Sequence, residues 1–380
     1  MLRPYQHTIG IDARMLGAEQ TGIGKYIARL CEYLPPLMSD TRFVLFLREP
    51  EYSNFKSAHP NVVKRRAEAH WYGYKEQLIL PIGFLLARPD LMHFPHFNVP
   101  MLYPGKFIVT IHDLTPHTFS GPAAHSWWRK SMFRLVFSGA LERSERIIAV
   151  SQYTKKDIIE RFRTVPEKIG VIYEGVDERF KKKVPRMQSL EFLKKTYGIA
   201  KPFLLYVGVW REHKNLAGLI EAYALMLKKY HADFDLVLCG KEHSSYPDAR
   251  RAWERLGLED RVKRPGFIPE KELEHFYRAA SLTVVPSFAE GFGFTGLESL
   301  ACQTPVAASQ TTSLPEILKD AAVYFDPHNS ENMAEVMHRI LVNKEEQKIC
   351  LEKVPDLMEQ YRWETMAEKT AKYYRSILEH

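Results

Sequence analysis

The richest group of chemistry-bearing residues lies in the stretch 286–298, directly after a short apolar run. Glu290 and Glu298 are eight residues apart, which would be roughly 12 Å of rise on one continuous helix. The spacing therefore favours Glu290 on a loop and Glu298 at least one turn into a helix. Both carboxylates could then contact different hydroxyls of one ligand while backbone amides between them meet its phosphates. The alternative is a glycine turn with two exposed glutamates. The glycines are Gly291, Gly293 and Gly296.

A second loop, which follows another apolar run, carries cations. It begins at Gly208 and continues through Arg211 and Lys214 to Asn215, which could cap the next helix. Arg211 and Lys214 stand where the loop meets that helix, so together with the helix end they could neutralise a diphosphate leaving group. A solvated charged loop is the alternative.

Two loops in the first half of the chain are weaker candidates. Gly22 and Gly24 precede a helix predicted to open at Lys25, which would allow close backbone approach to an anion at a helix N-terminus. A plain turn is about equally compatible with this pattern. His112 and Asp113 directly follow a predicted strand, so they are expected at the edge where ligands bind. Alternatively, Asp113 caps the next helix and His112 is satisfied locally.

The elements that position these residues are short apolar runs alternating with segments of helical period, which is typical of an α/β protein with parallel strands. The pattern restarts near residue 200, which predicts two Rossmann-like, doubly wound domains facing across a cleft. The N-terminal domain is predicted to span residues 1–178 plus a returning helix, 361–380, and the C-terminal domain residues 179–360. Ligands of open α/β sheets bind at the carboxyl ends of strands, so we expect the site in the cleft. The predicted strands are residues 8–11, 42–47, 91–94, 106–111, 146–150, 170–173, 203–209, 234–239, 282–286, 305–308 and 323–325.

Composition excludes several classes of protein. A chain of 380 residues suggests about two domains. Its net charge of +7 permits a phosphorylated substrate, an anionic membrane surface or a polyanion without choosing among them. No run approaches the ~18 apolar residues that span a bilayer, and the first ten residues lack a secretory signal, so a cytoplasmic protein is expected. Four scattered cysteines without CxxC spacing predict buried free thiols. They are Cys31, Cys239, Cys302 and Cys350.

Taken together, these motifs resemble the retaining glycosyltransferases of family 4, which have the GT-B fold. The resemblance covers essentially the whole chain, and its most specific part is the Glu-x7-Glu element. The opening Ile-Asp-Ala-Arg and Thr-Gly-Ile-Gly patterns are similar to those of bacterial polysaccharide mannosyltransferases, which implies GDP-mannose as the donor. Four motifs occur in the family's order, at residues 21–24, 112–113, 208–215 and 290–298.

The resemblance implies a role for each charged residue of the second half. Glu298 would bind the ribose hydroxyls of a nucleotide sugar, and Glu290 would hold hydroxyls of the donor sugar. Lys214 and Arg211 would stabilise the departing diphosphate. The family often has an arginine directly before this lysine, where the chain has His213. The arginine's task therefore falls either to Arg211 or to His213.

The resemblance also implies roles for one histidine and for backbone groups. His112 would lie near the donor sugar and the reacting centre. Gly22 and Gly24 would let the N-terminal loop approach the donor or acceptor. The family commonly has Leu-Pro after the glycine loop, so the different sequence here could alter the sugar pocket. The residues whose backbone would contact the donor are Gly208, Phe292, Gly293, Phe294 and Thr295.

The expected function is transfer of a sugar, with mannose as the best candidate, from a nucleotide-diphosphate donor to a hydroxyl of a sugar or lipid-linked oligosaccharide. Retention of configuration is implied by the family, and no cofactor, metal or nucleic-acid partner is expected. A nucleotide-sugar epimerase and a hydrolase of the same architecture are the alternatives. The basic, aromatic segment 127–137 could rest on the inner face of the cell membrane, or it could be half-buried packing.

Overall fold

The computed structural model describes residues 5–17, 21–69, 74–115, 127–243 and 246–379. The chain divides into two compact units. Among the described residues, the N-terminal unit contains those up to 115, residues 127–175 and the final segment, 362–379. The C-terminal unit contains residues 176–361. The chain therefore leaves the first unit, builds the second and returns to the first.

A parallel sheet of seven strands forms the centre of the N-terminal unit. The strands are β1 (His7–Asp12), β2 (Thr41–Leu47), β3 (Val62–Arg66), β4 (Leu91–Phe94), β5 (Phe107–Ile111), β6 (Arg146–Ala149) and β7 (Ile169–Val171). Their order in the sheet is β3-β2-β1-β4-β5-β6-β7. The central strands β4 and β5 are buried along their whole length, as near-continuous apolar runs require. Six strands fall on predicted runs, whereas β3 was not predicted.

Helices surround this sheet, and the last one comes from the end of the chain. Its apolar stripe is buried, and Tyr374 contacts His93 of β4, with the hydroxyl 2.6 Å from ring nitrogen Nδ1. Arg375 donates to the carbonyl oxygen of Leu37 at 2.7 Å. The C-terminal helix therefore packs on the N-terminal unit. The helices are Thr21–Tyr33, Glu51–Asn54, Tyr74–Leu78, Leu80–Leu86, Trp127–Arg143, Gln152–Phe162 and Trp363–Leu378, with 3-10 turns at Pro35–Leu37 and Pro166–Lys168.

The C-terminal unit is built on a parallel sheet of six strands. They are β8 (Phe203–Val207), β9 (Asp235–Cys239), β10 (Val262–Gly266), β11 (Leu282–Val285), β12 (Val306–Ser309) and β13 (Val323–Phe325). Their order is β10-β9-β8-β11-β12-β13, so the sheet repeats the connectivity of the first six strands of the chain. Five of these strands fall on predicted runs, whereas the edge strand β10 was not predicted.

Ten helices flank the second sheet within the described part of the chain. The longest of them, Leu216–Tyr230, packs against Ser330–Val342, and both contribute to the apolar core. The helices are Glu178–Lys181, Arg186–Tyr197, Leu216–Tyr230, Asp248–Arg255, Leu273–Ala279, Phe294–Ala301, Leu314–Leu318, Ser330–Val342, Lys344–Glu352 and Val354–Gln360, with 3-10 turns at Glu212–Lys214 and Lys319–Ala321.

The ends of β8 and β9 approach each other too closely for a side chain. Gly240 has φ +137°, and a Cβ atom at this position would lie 1.9 Å from the carbonyl oxygen of Gly208. The amide of Gly208 in turn donates to the carbonyl of Cys239 at 3.0 Å. A glycine at position 240 is therefore required to place the loop that begins at Gly208.

Three predictions on surface and core residues can be compared with the structure. All four cysteines are free and buried, as predicted. In the basic, aromatic segment, Phe137 is buried in the core and Arg134 is exposed, whereas the side chains of residues 127–130 lie outside the described residues. Across the described ranges, no helix combines the length and apolar character that crossing a bilayer would require.

Candidate active site

In the C-terminal unit, the loops that follow β8 and β11 are bonded to each other. These two strands are neighbours at the point where the strand order reverses, which is where open α/β sheets bind ligands. The amide of Phe288 donates to the carbonyl oxygen of His213 at 2.7 Å. The side-chain amide of Asn215 donates to the carbonyl oxygen of Pro286 at 3.1 Å. Residues from two separate segments are thereby held in one fixed arrangement.

An ion pair between Lys214 and Glu290 forms the polar centre of these loops. The Lys214 ammonium lies 2.7 Å from Oε1 and 2.8 Å from Oε2 of Glu290. The Ser287 hydroxyl also donates to Oε1, at 2.6 Å, and the backbone amide of Glu290 donates to the Thr312 hydroxyl at 3.0 Å. The side chains of Lys214 and Glu290 are only 18% and 14% exposed. The pair is therefore rigidly held and largely shielded from water.

This pair controls the ionisation of Glu290. Burial alone would raise the pKa of the Glu290 carboxyl, but the charge of Lys214 and hydrogen bonds from Lys214 and Ser287 outweigh that effect, so the pKa lies below its ordinary value. Glu290 is consequently a carboxylate at neutral pH. A carboxylate can accept hydrogen bonds from sugar hydroxyls, and the lysine beside it supplies positive charge for a phosphate.

The two residues considered for the arginine role differ sharply in environment. Burial and the neighbouring charge of Lys214 lower the pKa of His213 to about 3, so its imidazole is neutral near neutral pH. A neutral ring supplies no positive charge, so His213 does not add to the charge of Lys214 in the ligand-free protein. Arg211 is exposed and directly precedes the 3-10 turn Glu212–Lys214. Arg211 therefore carries a charge that is open to solvent, whereas His213 is buried.

Asn215 has a different role from the predicted one. It precedes the helix Leu216–Tyr230 in a left-handed conformation, with φ 53° and ψ 40°, and its side chain makes no capping bond. The side-chain amide instead donates to the carbonyl oxygens of Pro286 and Pro327, at 3.1 and 2.9 Å. Asn215 thus occupies the N-cap position without the predicted capping bond, and its two side-chain amide hydrogens tie three loops together.

Glu298 lies where the eight-residue spacing predicts it. Glu290 is on the loop, whereas Glu298 lies one turn into the helix Phe294–Ala301 and is buried. The Tyr277 hydroxyl donates to Oε2 of Glu298 at 2.9 Å. Burial, together with this neighbouring carboxylate, raises the pKa of Tyr277, so the hydroxyl keeps its proton and remains a donor. Tyr277 thus fixes the orientation of Glu298, and sequence reasoning did not find it.

The glycine-rich stretch between the two glutamates forms the start of that helix. Gly293 directly precedes the helix with φ +94° and ψ +44°, a left-handed conformation that glycine adopts readily. Phe294 and Thr295 are the first two helical residues, and the first amides of a helix have no acceptor within it. Phe292 is buried, with its ring 5.6 Å from that of Tyr361. The predicted loop therefore includes a helix N-terminus, which favours anions.

In the N-terminal unit, His112 follows β5, and each of its two ring nitrogens lies close to an oxygen atom. Its Nε2 lies 2.9 Å from the carbonyl oxygen of Pro95, and its Nδ1 lies 3.1 Å from Oε1 of the buried Glu174. Burial alone would lower the pKa of His112, but the hydrogen bond and charge of Glu174 and the Pro95 carbonyl raise it overall. His112 is therefore stabilised as a cation. Glu174 was not predicted, although it closely follows β7.

A buried charged cluster lies after β1 in the same unit, and sequence reasoning did not find it. The Arg14 guanidinium contacts Asp12 at 2.7 Å and Glu76 at 2.8 Å. Asn98 donates to the same oxygen of Glu76 at 2.6 Å. One guanidinium thus satisfies two buried carboxylates. The sequence Asp-Ala-Arg, with two charged residues at the end of an apolar strand, could have indicated this cluster.

The glycines near the start of the chain are helical. The helix Thr21–Tyr33 begins four residues before the predicted start at Lys25, so Gly22 and Gly24 lie in its first turn. The prediction of a glycine loop at these two positions is wrong. Residues 18–20, which were part of the same predicted loop, lie outside the described residues. The amide of Gly22 belongs to the first turn of a helix, which is the general setting for anion binding.

Two family models match the chain. The model of a family described as "Glycosyltransferase Family 4" matches residues 21–180, and that of "Glycosyl transferases group 1" matches residues 191–355. The two Rossmann-like sheets and these matches define a glycosyltransferase of the GT-B class. The chain belongs to family 4 of the glycosyltransferases.

Individual proteins extend the comparison. The O-antigen chain mannosyltransferase B of Escherichia coli is 26% identical over 287 residues, which cover 76% of this chain and 74% of the relative. The sucrose-phosphate synthase of Thermosynechococcus elongatus is 20% identical, with a TM-score of 0.79 over 98% of this chain and 99% of that structure. HepE of Anabaena, solved with UDP and glucose, is 18% identical, with a TM-score of 0.77 over 98% of this chain and 100% of that structure. The two structures establish the likeness of fold.

Proposed function

We propose that this glycosyltransferase moves a mannosyl residue from a nucleotide-diphosphate donor to a hydroxyl of a sugar or lipid-linked glycan, with retention of configuration. The observation that carries the proposal is the shielded contact of Lys214 with both carboxylate oxygens of Glu290. It places a fixed cation and a fixed acceptor at the carboxyl ends of β8 and β11, the ligand-binding edge of the sheet.

In this proposal, the nucleotide-sugar donor binds the C-terminal unit. A lysine ammonium has three N–H donors, so Lys214 can keep its contact with Glu290 and still donate to a phosphate oxygen. Arg211 adds a second cation from the exposed start of the same turn. Glu290 accepts hydrogen bonds from hydroxyls of the sugar, and Glu298, oriented by Tyr277, accepts them from the ribose. The amides at the start of the helix Phe294–Ala301 meet the phosphates.

The chemical step then depends on charge. The bond between the anomeric carbon and the diphosphate oxygen breaks, and its electron pair leaves with the diphosphate. The acceptor oxygen bonds to the same carbon, and its proton passes to an oxygen of the departing diphosphate. Positive groups that are already in place stabilise the developing negative charge without reorganisation, which is the main electrostatic route to catalysis. We assign this stabilisation to Lys214 and Arg211.

His112 supplies the corresponding group of the N-terminal unit. Pro95 and Glu174 each place an oxygen beside one of its ring nitrogens, so we propose that His112 acts near the donor sugar through the positive charge that this setting favours. Its substitution by glutamine, which keeps polar atoms but not the charge, should lower turnover more than it weakens donor binding. Single-turnover kinetics beside calorimetric titration would separate these two quantities.

The identity of the donor is the central test. Mannose is favoured by the sequence similarity to an O-antigen chain mannosyltransferase. Thermal denaturation should be followed with a panel of GDP-mannose, UDP-glucose, UDP-galactose and UDP-N-acetylglucosamine, and GDP-mannose should raise the midpoint most. The Lys214→Met variant should lose this shift. Stabilisation by UDP-glucose alone would contradict the mannosyl assignment. Release of free mannose at the same rate with and without acceptor would contradict transfer.

A further inference from the structure

Four buried polar side chains form a continuous hydrogen-bonded network in the N-terminal unit. The Tyr374 hydroxyl lies 2.6 Å from Nδ1 of His93, and Nε2 of His93 lies 2.8 Å from the Thr110 hydroxyl. The Thr110 hydroxyl in turn lies 3.1 Å from that of Tyr26. All four residues are shielded from solvent. We call them the buried network; its members are Tyr26, His93, Thr110 and Tyr374.

The buried network joins two helices to two strands. Tyr26 belongs to the first helix of the unit and Tyr374 to its last helix. His93 and Thr110 lie in the neighbouring strands β4 and β5. Apolar side chains would fill such an interface without partners, whereas a buried polar group is costly unless it is hydrogen-bonded. A fully connected polar network favours one arrangement of its members, so the network holds these four elements in a single packing.

One end of the buried network lies against His112. The ring centroids of Tyr26 and His112 are 5.0 Å apart, and the two planes meet edge to face at 81°. Thr110 precedes His112 by two residues, and alternate residues of a strand face the same side of a sheet. Tyr26 is thus held by its hydroxyl at Thr110 while its ring forms a wall beside His112. The orientation of the His112 ring therefore depends on where that hydroxyl is held.

His93 is kept neutral inside the network. Burial and the charge of His112 lower the pKa of His93 to about 3, so its ring is uncharged near neutral pH. A neutral imidazole has one N–H donor and one acceptor nitrogen, which suits a position between two hydroxyls. The other ionisable groups that interact with His112 are Glu174, Asp113, His96 and Tyr26. The network therefore places a polar group beside His112 without adding a like charge.

We propose that the buried network fixes the orientation of the His112 ring, and that the C-terminal helix contributes to the reaction in this way through Tyr374. The proposal rests on the role proposed above for His112. Tyr374 holds His93, His93 holds the Thr110 hydroxyl, and that hydroxyl holds Tyr26. A fixed ring keeps its charge in one place, and a small displacement of a reacting group lowers the rate. The four members are positioning residues, because their burial keeps them from touching a substrate.

Thr110→Val is the central test, because valine keeps the shape of threonine but removes the hydroxyl shared by His93 and Tyr26. In an NMR titration of the ligand-free full chain, the pKa of His112 should be lower than in the unsubstituted protein, since a loosened ring makes a weaker contact with Glu174. The rate of GDP release from GDP-mannose, with methyl α-mannoside as acceptor, should fall about three- to tenfold. Calorimetric affinity for GDP should not change. Thr110→Ser, which keeps the hydroxyl, should restore most of the rate.

Tyr374→Phe tests the far end of the network with a smaller change, and it replaces Thr110→Val if that variant does not fold. It should lower the rate and the pKa of His112 in the same direction. Tyr373→Phe is the matched control, because it removes the same hydroxyl from the neighbouring residue of the helix. The Tyr373 hydroxyl lies beside Gly170 of β7, so its loss should change neither quantity.

Two results would overturn the proposal. Thr110→Val could be less stable in urea yet keep the pKa of His112 and the rate of GDP release, which would show that the network only stabilises the fold. Equal effects of Tyr374→Phe and Tyr373→Phe would show that the contact with His93 is not what matters. The titration uses no donor, so it decides on positioning even if the unsubstituted protein releases no GDP from GDP-mannose, a result that would contradict the proposed function instead.

Discussion

The Lys214–Glu290 pair allows one prediction to be worked through in detail. Replacing Lys214 by methionine keeps most of the volume of the side chain but removes its ammonium group. Glu290 then remains in its shielded place with the Ser287 hydroxyl but without its cation. The substitution therefore tests whether the pair, rather than the packing of the lysine stem, determines the properties of this loop.

The expected loss of unfolding free energy follows from the burial of the two side chains. Breaking a fully buried ion pair by removing one partner typically costs 3–5 kcal/mol of unfolding free energy. Because the side chains here are 18% and 14% exposed, water screens part of this effect, and we expect a loss of about 2–3 kcal/mol for Lys214→Met at pH 7. Lys348→Met provides a matched control. Its ion pair with Glu352 is exposed and 4.0 Å long, so the loss there should be below about 0.5 kcal/mol.

The sign of the pH dependence is fixed by the ionisation of Glu290. In the unsubstituted protein its pKa is lowered on folding, so the pair stabilises the fold above the ordinary glutamate pKa and this stabilisation is lost as pH falls. In Lys214→Met, burial without the cation raises the pKa of Glu290. The buried carboxylate then destabilises the fold at pH 7, and this destabilisation disappears as the carboxyl is protonated at lower pH. Because of both effects, the difference in unfolding free energy between the two proteins becomes smaller as the pH is lowered from 7.

Urea denaturation monitored by tryptophan fluorescence at several pH values measures this difference. Adding Glu290→Gln to Lys214→Met should restore most of the lost unfolding free energy, because no uncompensated carboxylate then remains. The reasoning would be refuted if the difference in unfolding free energy between Lys214→Met and the unsubstituted protein stayed constant from pH 7 to about pH 4.5. It would mean that the lysine stem, and not its charge, stabilises the loop.

Three further substitutions give clear outcomes. Glu174→Gln should lower the pKa of His112, since the charge of its partner is lost; an unchanged midpoint in an NMR titration of the ring would contradict the ion pair. Tyr277→Phe should reduce the unfolding free energy by about 1–3 kcal/mol in urea, because Glu298 loses a buried donor. Calorimetry should also show weaker donor binding, and unchanged affinity would argue against the ribose role. Gly240→Ala should reduce the unfolding free energy by more than about 3 kcal/mol, because residue 240 has φ +137° and the added methyl group would clash with the carbonyl oxygen of Gly208.

The strands that the sequence predicts and those it misses differ in one physical respect. The predicted strands are apolar runs, most of which lie inside a sheet. The two missed strands, β3 and β10, are each the first strand of their sheet order, and both carry lysine and arginine. β10 also contains Pro265, beside an irregularity in its pairing. Such sequences are normal for an edge strand, but they lack the apolar pattern on which prediction depends.

In the candidate site, the features that follow from local spacing could be predicted from the sequence, whereas contacts between distant segments could not. The placement of Glu290 on a loop and Glu298 on a helix follows from eight residues of spacing, because one helix could not align both side chains. The bond between Lys214 and Glu290 joins residues 76 positions apart, so it depends on how two strands pair. Glu174 is a single acidic residue in a loop without a motif, and its contact with His112 is likewise a product of the tertiary fold.

The start of the first helix was mispredicted for a local reason. Glycine lowers helix stability by about 1 kcal/mol relative to alanine, so two glycines among residues 21–24 favoured a loop. The structure nevertheless begins the helix at Thr21. The following turns bury Tyr26, Ile27 and Leu30 in the unit, and that burial outweighs the propensity of the first turn.

The return of the last helix to the first unit has a consequence for biosynthesis. His93 of the first sheet meets Tyr374, so the hydroxyl that completes its surroundings is translated 281 residues later. When the ribosome has synthesised all strands of the N-terminal sheet, the helix that packs against that sheet has not yet been made. It is synthesised only at the end of the polypeptide. Fragments that end at residue 175 should accordingly expose apolar surface and aggregate, and adding a separate peptide of residues 362–379 should rescue their solubility.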